Sequence, residues 1–245
     1  MIKYIDKDDT FMGVITALKQ DTFLTKISIV YKAYGISKYA DFWYQYRNEK
    51  YTSMLMRVGG DFVLYLSDES DMYEISEFLK VVGFNRVLYN AEYKLSIDNI
   101  KENIGVIMKL SSGINGLDGN IGEENNYKEV YGFFKGLNSK SLELPEYGDF
   151  VTDLYSKVRC KLTKVKSIYN DNKIVSCCIT VSDNINTIVN AVGTDKNYRN
   201  KDYAKNLIHN MKGENTYLYC NDDIHTVIYE KMGFKTVGKW KEIYR

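Results

Sequence analysis

The chain has 245 residues, 44% of them hydrophobic, which is enough for one large domain or two small ones with ordinary buried cores. Thirty-three basic residues against thirty-two acidic ones leave a net charge of +1, with no long block of either sign, so no electrostatic argument for nucleic acid or an anionic membrane arises. No apolar run approaches the roughly 20 residues of a membrane span, and MIKYIDKDDT lacks the regions of a secretory signal, so a cytoplasmic protein with no membrane partner is expected.

From the N-terminus, DDTFMGVITALKQ and DTFLTKISIVYKAYG read as helices, with Asp8 or Asp9 and then Asp21 as N-caps. The period changes in DFWYQYRNEKYTSMLMRVGGDFVLYLSD. Met54, Met56 and Val58 alternate, as do Phe62, Leu64 and Leu66, and Gly59-Gly60 is a hairpin turn, so a three-stranded meander is predicted. Helical spacing returns in ESDMYEISEFLKVVGF, where Met72, Ile75, Leu79 and Val82 share a face and Gly83 follows as a stop. Strands follow at NRVLYN and IGVIMKL.

Residues 111–126 hold Gly113, Gly116, Gly119 and Gly122 among polar residues, as either a flexible connector or a mobile substrate loop. NYKEVYGFFKGLN and GDFVTDLYSKVRC are helical patterns, and the break between two units is expected between them, near Pro145. Three strand candidates succeed one another in KVKSIYN, KIVSCCITVSD and INTIVNAVGTD. Then come the helix YAKNLIHNMKG, the strand NTYLYCN, the helix DDIHTVIYEKMG with Ile224, Val227 and Ile228 inward, and the strand FKTVGKW. The fold class is α/β (α+β), a mixed, mostly antiparallel sheet flanked by helices in two tandem units: an N-terminal domain over 1–135 and a C-terminal one over 146–245.

Cys160, Cys177, Cys178 and Cys220 include no C-x-x-C pair, and His209 and His225 are the only histidines, so neither a metal site nor a disulfide framework is expected. Cys177 and Cys178 are strand neighbours and must face opposite sides.

The C-terminal hundred residues resemble the GNAT acetyltransferase superfamily. Its R/Q-x-x-G-x-G/A motif falls where a central strand meets a helix, and here Arg199, Asn200, Lys201, Asp202, Tyr203 and Ala204 fill the six places. The preceding NAVGTDKNYR looks like the family's GGVATHPEYR form, and YEKMGF like its YEKLGF ending, with Asn221 eight residues before Tyr229. The likeness covers residues 147–245.

The resemblance implies an acetyl-CoA-dependent N-acetyltransferase acting on a primary amine of a small molecule or peptide. The strand end and helix start would offer backbone N–H groups to the coenzyme A pyrophosphate. Val192 and Thr194 would pair their backbone with the pantetheine arm. Tyr229 stands where the family keeps a proton donor to the leaving thiolate; the alternative is packing. Asn221 either bonds the pantetheine arm or, like Asp222 or Asp223, caps a helix. No general base is identified; Asp183 and Asp195 read as turn residues.

Two departures stand out. Asn200 and Asp202 replace glycines, and a carboxylate at 202 stands near the expected pyrophosphate, where like charges at ~4 Å cost roughly 1 kcal/mol in water. The second reading is therefore a non-catalytic descendant that binds an acyl-CoA or a protein partner. The N-terminal half has its own echoes of the C-terminal one: YRNEKYTSMLM with YRNKDYAKNLI, and VVGF with KMGF, pairing Tyr46 with Tyr198 and Phe84 with Phe234. A divergent second copy without a phosphate loop is one reading of them.

Overall fold

The computed structural model describes residues 1–111, 121–139 and 142–245. The chain forms two compact units, Met1–Ile107 with Val237–Arg245, and Met108–Thr236. The expected boundary lay near Pro145. The chain instead leaves the first unit near the end of a long strand and returns to it in its last one.

Unit 1 holds β1 (Ile2–Tyr4), α1 (Asp8–Ala17), α2 (Thr22–Tyr34), β2 (Ala40–Arg47), β3 (Lys50–Val58), β4 (Asp61–Leu66), α3 (Met72–Val82) and β5 (Arg86–Asn90). To these it adds most of β6 (Lys101–Leu110) and of the last strand, β12 (Phe234–Tyr244). Its strand order is β1-β2-β3-β4-β5-β12. The predicted meander is β2–β4, with Gly59 at φ +58° in the second turn, where a side chain would be strained. Met54 and Met56 pack in one buried cluster with Phe11, Leu24 and Ile27 of α1 and α2. Leu55, Phe62, Leu64 and Leu66 pack in another with Ile75 and Leu79 of α3, as strand alternation requires. Asp21 and Asp71 cap α2 and α3 by accepting from Leu24 N at 2.8 Å and Glu74 N at 3.0 Å. Asp8 and Asp9 do not cap α1: they lie in its first turn, where the macrodipole favours them, and Lys7 is the N-cap.

Unit 2 holds β7 (Ile121–Glu123), α4 (Tyr127–Gly136), α5 (Tyr147–Arg159), β8 (Thr163–Asn170), β9 (Lys173–Ser182), β10 (Asn186–Thr194), α6 (Tyr203–Met211), β11 (Asn215–Cys220) and α7 (Asp223–Lys231). Its order is β11-β10-β9-β8-β7, with the end of β6 beside β11. Val130 and Phe134 of α4 and Leu154 of α5 bury Val165, Cys177, Ile179 and Ala191 on one face of this sheet. Of the glycine-rich 111–126 stretch, residues 112–120 lie outside the described residues, and Ile121–Glu123 pair with β8 as a strand rather than a connector.

The element order repeats. Each half runs β-α-α-β-β-β-α-β, and the pairings β1-β2-β3-β4-β5 match β7-β8-β9-β10-β11. In both the fourth and fifth strands are parallel, Asp61↔Arg86 to Val63↔Leu88 and Asn186↔Asn215 to Val189↔Leu218. The repeat differs from the sequence echoes. Tyr46 ends β2 in a hairpin while Tyr198 follows β10, and Phe84 follows α3 while Phe234 follows α7. α3 corresponds to α6, so the matching letters fall on different elements.

Candidate active site: a cleft between β10 and β11

Parallel strands β10 and β11 pair only from Asn186 to Val189. At that point β10 carries a bulge against β9, between Val189 and Ala191. A bulge adds a residue to one strand, bends it and ends its pairing. Beyond it the two strands line a cleft of about 510 Å³, within the range of small-molecule sites. Every predicted site residue lines this cleft: Val192, Thr194, Arg199, Asn200, Lys201, Asp202, Tyr203, Ala204, Asn221 and Tyr229.

Val192 and Thr194 lie on the part of β10 past its ladder with β11, while β9 pairs the other edge at Val192↔Cys178 and Thr194↔Ser176. Leu137 lies against one side: a Cβ on Gly193 would come within 2.3 Å of its Cδ1, so a side chain there would have to displace the end of Leu137.

The chain leaves β10 through a 3₁₀ turn at Lys196–Tyr198 and enters α6 at Tyr203. Asn200 and Asp202 both take positive φ, +62° and +55°, the conformation that glycine serves in the motif they interrupt. Asn and Asp enter this region at the lowest cost among side-chain-bearing residues, so the path of the loop survives without glycine. Asp202 is the N-cap of α6, yet its exposed side chain makes no capping hydrogen bond. Lys201 Nζ stands 5.2 Å from the Tyr198 ring centroid, and Arg199 Nε donates to Thr194 O at 3.4 Å. With Lys205 and Lys231, four basic side chains and one carboxylate, Asp202, line the cleft, so its charge suits an anion.

Tyr229 projects from α7, half-buried, edge-on to Phe234 with centroids 5.9 Å apart. Burial first, then the Cys220 and Cys178 thiols and Asp222, raise its pKa above the ordinary phenol value. The phenol therefore keeps its proton through neutral pH. Asp222, not Asn221, caps α7: its Oδ1 accepts from His225 N at 2.7 Å and its Oδ2 lies 2.6 Å from His225 Nδ1. Burial disfavours this carboxylate, but the His225 backbone N–H and imidazole outweigh that and hold its pKa below the ordinary value. Asn221 is exposed at the cleft.

The expected inward face of α7 is corrected. Ile224, Val227 and Ile228 are 75%, 49% and 41% exposed; no residue of this nine-residue helix is buried, and His225, Ile228, Tyr229 and Lys231 line the cleft from it. Asp183 and Asp195 are turn residues, accepting from Asn186 N at 2.8 Å and Asn197 N at 2.8 Å, and neither lines the cleft. Cys177 and Cys178 are fully buried, and burial raises both thiols, which keeps them protonated and unreactive. Sequence reasoning missed His225, whose signal was an acid three residues before a histidine at a helix start. It also missed the bulge, which leaves no mark in local spacing.

No family model matches the sequence, and no curated protein matches it either. Solved structures do match. A GCN5-related N-acetyltransferase from Sphaerobacter thermophilus is 9% identical with a TM-score of 0.63, over 100% of this chain and 95% of that one. A tandem GNAT protein from the clavulanic acid biosynthesis pathway is 8% identical with a TM-score of 0.59, over 100% and 98%. A GNAT-family acetyltransferase from Colwellia psychrerythraea is 11% identical with a TM-score of 0.55, over 100% and 99%. Identities this low speak to fold alone, and on that ground the chain has the GNAT acetyltransferase fold over its whole length.

Proposed function

We propose that the chain is an N-acetyltransferase that moves an acetyl group from acetyl-CoA to a primary amine of a small molecule or peptide, in the cytoplasm. The observation that carries this reading is the cleft where the β10–β11 ladder stops, lined by Arg199, Lys201, Lys205 and Lys231 and by Tyr229. The four cysteines are all free thiols, in keeping with a reducing compartment.

Arg199, Lys201 and the N–H groups at the start of α6 would hold the pyrophosphate, and the β10 edge at Val192 and Thr194 the pantetheine arm. Asn221, Tyr203 and Ala204 complete the wall. Bound acetyl-CoA supplies a thioester acyl group: the amine nitrogen bonds to the carbonyl carbon, the C–S bond breaks, the amine gives up a proton and the sulfur gains one. Tyr229 holds a proton for that sulfur, and its raised pKa keeps the phenol in the donating form. The β10 bulge and the wall at Leu137 fix the arm, so the chain contributes chiefly position.

Asp202 favours a second reading, a non-catalytic acyl-CoA-binding descendant, because its carboxylate faces the same mouth. Its exposure lets water screen it, and four cations surround the cleft. Calorimetric titration with acetyl-CoA, followed by acetyl transfer to a panel of amines by wild type and Tyr229→Phe, separates the readings. Binding with transfer that collapses in Tyr229→Phe supports the enzyme. Binding without transfer to any amine supports the second reading, and no binding contradicts both.

A further inference from the structure

Asn190 sits where both edges of β10 change partners. On one edge the register with β9 passes from Val189↔Thr180 to Ala191↔Ile179, which leaves Asn190 opposite no residue. On the other edge the ladder with β11 ends at Val189↔Leu218. Val189 and Ala191 are 7% and 8% exposed, whereas Asn190 between them is exposed, and its side-chain amide makes no hydrogen bond among the described residues. Strands are poor in asparagine, and a bulge re-aims a side chain, so a polar group presented from an interior strand calls for a reason.

The cleft has this residue at its inner end. The basic loop and α6 follow Thr194, so a cofactor whose phosphates were held there would run back along β10 past Thr194 and Val192, and its acyl end would meet Asn190 where the ladder closes. Asn190 and Ala191 also line a smaller cavity of about 230 Å³, together with Leu154 and Lys157 of α5. That is the face of the sheet on which Ala191 and Cys177 pack with α4 and α5. Tyr229 belongs to the other face: Cys178, which as the strand neighbour of Cys177 points away from α5, is among the groups that raise its pKa. Asn190 and Tyr229 thus reach one cleft from opposite sides of the sheet.

We propose that Asn190 is the acceptor-binding residue: its Oδ1 accepts a hydrogen bond from the incoming primary amine and turns the nitrogen lone pair to the acyl carbon, while Tyr229 serves the sulfur from the other side. This deepens the acetyl-transfer reading and rests on it. A primary amine carries two N–H groups, so one is held by Asn190 while the other gives up its proton as the C–N bond forms. The amide product keeps the held N–H. A secondary amine has none to keep, so the contact selects primary amines. A side-chain amide takes no proton at neutral pH, and the contribution of Asn190 is therefore position. A neutral acceptor also holds the free amine, the form that attacks, without the preference for ammonium that a carboxylate would add.

Two unreactive analogues test this before any acceptor is known. In one the sulfur of coenzyme A carries CH2–CO–NH–propyl; in the other it carries CH2–CO–O–propyl, of the same shape without the N–H. Calorimetry with the full chain reads the affinity of each beside acetyl-CoA. Wild type should bind the amide about five- to tenfold tighter than the ester, the worth of one neutral hydrogen bond. In Asn190→Ala the two should bind alike with acetyl-CoA affinity unchanged, and in Asn190→Asp, which keeps an acceptor oxygen, the preference should return. Equal affinities in wild type, a preference that survives Asn190→Ala, or loss of acetyl-CoA binding in Asn190→Ala would each overturn the assignment while wild-type acetyl-CoA binding upholds the cleft. A wild-type chain that does not bind acetyl-CoA would overturn the cleft reading and the assignment with it.

Discussion

In unit 1 the loop from β4 to α3 reads SDESD, and in unit 2 the loop from β10 to α6 reads DKNYRNKD, although each joins the fourth strand of a repeat to the helix after it. The first has three carboxylates and no base; the second sets Lys196, Arg199 and Lys201 against Asp195 and Asp202. The strands they follow differ as well. Past the bulge, β10 and β11 line an open cleft. Past Val63 and Leu88, residues 91–100 take the place of α7, and Leu95 and Ile97 bury themselves with Leu64, Leu66 and Tyr89. Ser96 N donates to Ser76 Oγ at 2.9 Å, which ties that segment to α3. One repeat has a packed core where the other has a cleft, and its loop makes ordinary turn contacts, with Ser67 and Ser70 donating to Thr52 O at 2.8 and 2.9 Å. The same topology thus supports a site or a plug, and local side chains decide which.

The largest effect should fall on the open side. Tyr229→Phe removes the proton held for the sulfur, so kcat should drop about 10²–10⁴-fold with acetyl-CoA affinity unchanged, measured by steady-state kinetics beside calorimetry. The plugged side should respond in stability alone. Leu95→Ala opens a cavity in a packed cluster and should cost about 2–5 kcal/mol in urea unfolding, without adding a second acetyl-CoA site.

Asp21 gives a pH-dependent form of the same contrast. Burial pushes its carboxyl up to about 6, although the N–H groups of Leu24 and Phe23 pull the other way. The folded value lies above the ordinary ~3.9, so the favourable contribution is complete below that value and is lost as pH rises through 6. Asn at this position keeps the cap without the charge. Asp21→Asn should match wild type near pH 4 and melt a few degrees higher by pH 8, about 1–3 kcal/mol, with acetyl-CoA affinity unmoved. The smallest effect belongs to Asp202→Gly. It removes one screened like charge and keeps a residue suited to φ +55°, so acetyl-CoA should bind about fivefold tighter, roughly 1 kcal/mol, by calorimetry.

Most elements were legible because their signals are local: the Met54–Met56 alternation, the Gly59 turn, and the cap Asp21. β1 and β7, three residues each, are too short to show a period. α7 was placed, yet its face was inverted, since a nine-residue helix with no buried residue carries apolar side chains that face water. The repeat itself was visible only in part, because topology persists where letters do not: Tyr46 and Tyr198 match in sequence and occupy different elements. The cleft residues were legible through the motif they interrupt. The bulge at Asn190 was not, for it depends on which strands meet across the sheet.

The central claim is that one repeat holds a working acetyl-CoA cleft and the other does not. Calorimetric titration of the full chain with acetyl-CoA tests it most directly. One site per chain is predicted, lost when Gly193→Trp forces a side chain against Leu137 beside the cleft and retained when Asp68 and Glu69 of the unit 1 loop are changed to Ala. Two sites per chain, or one that depends on the unit 1 loop and ignores Gly193, would contradict it.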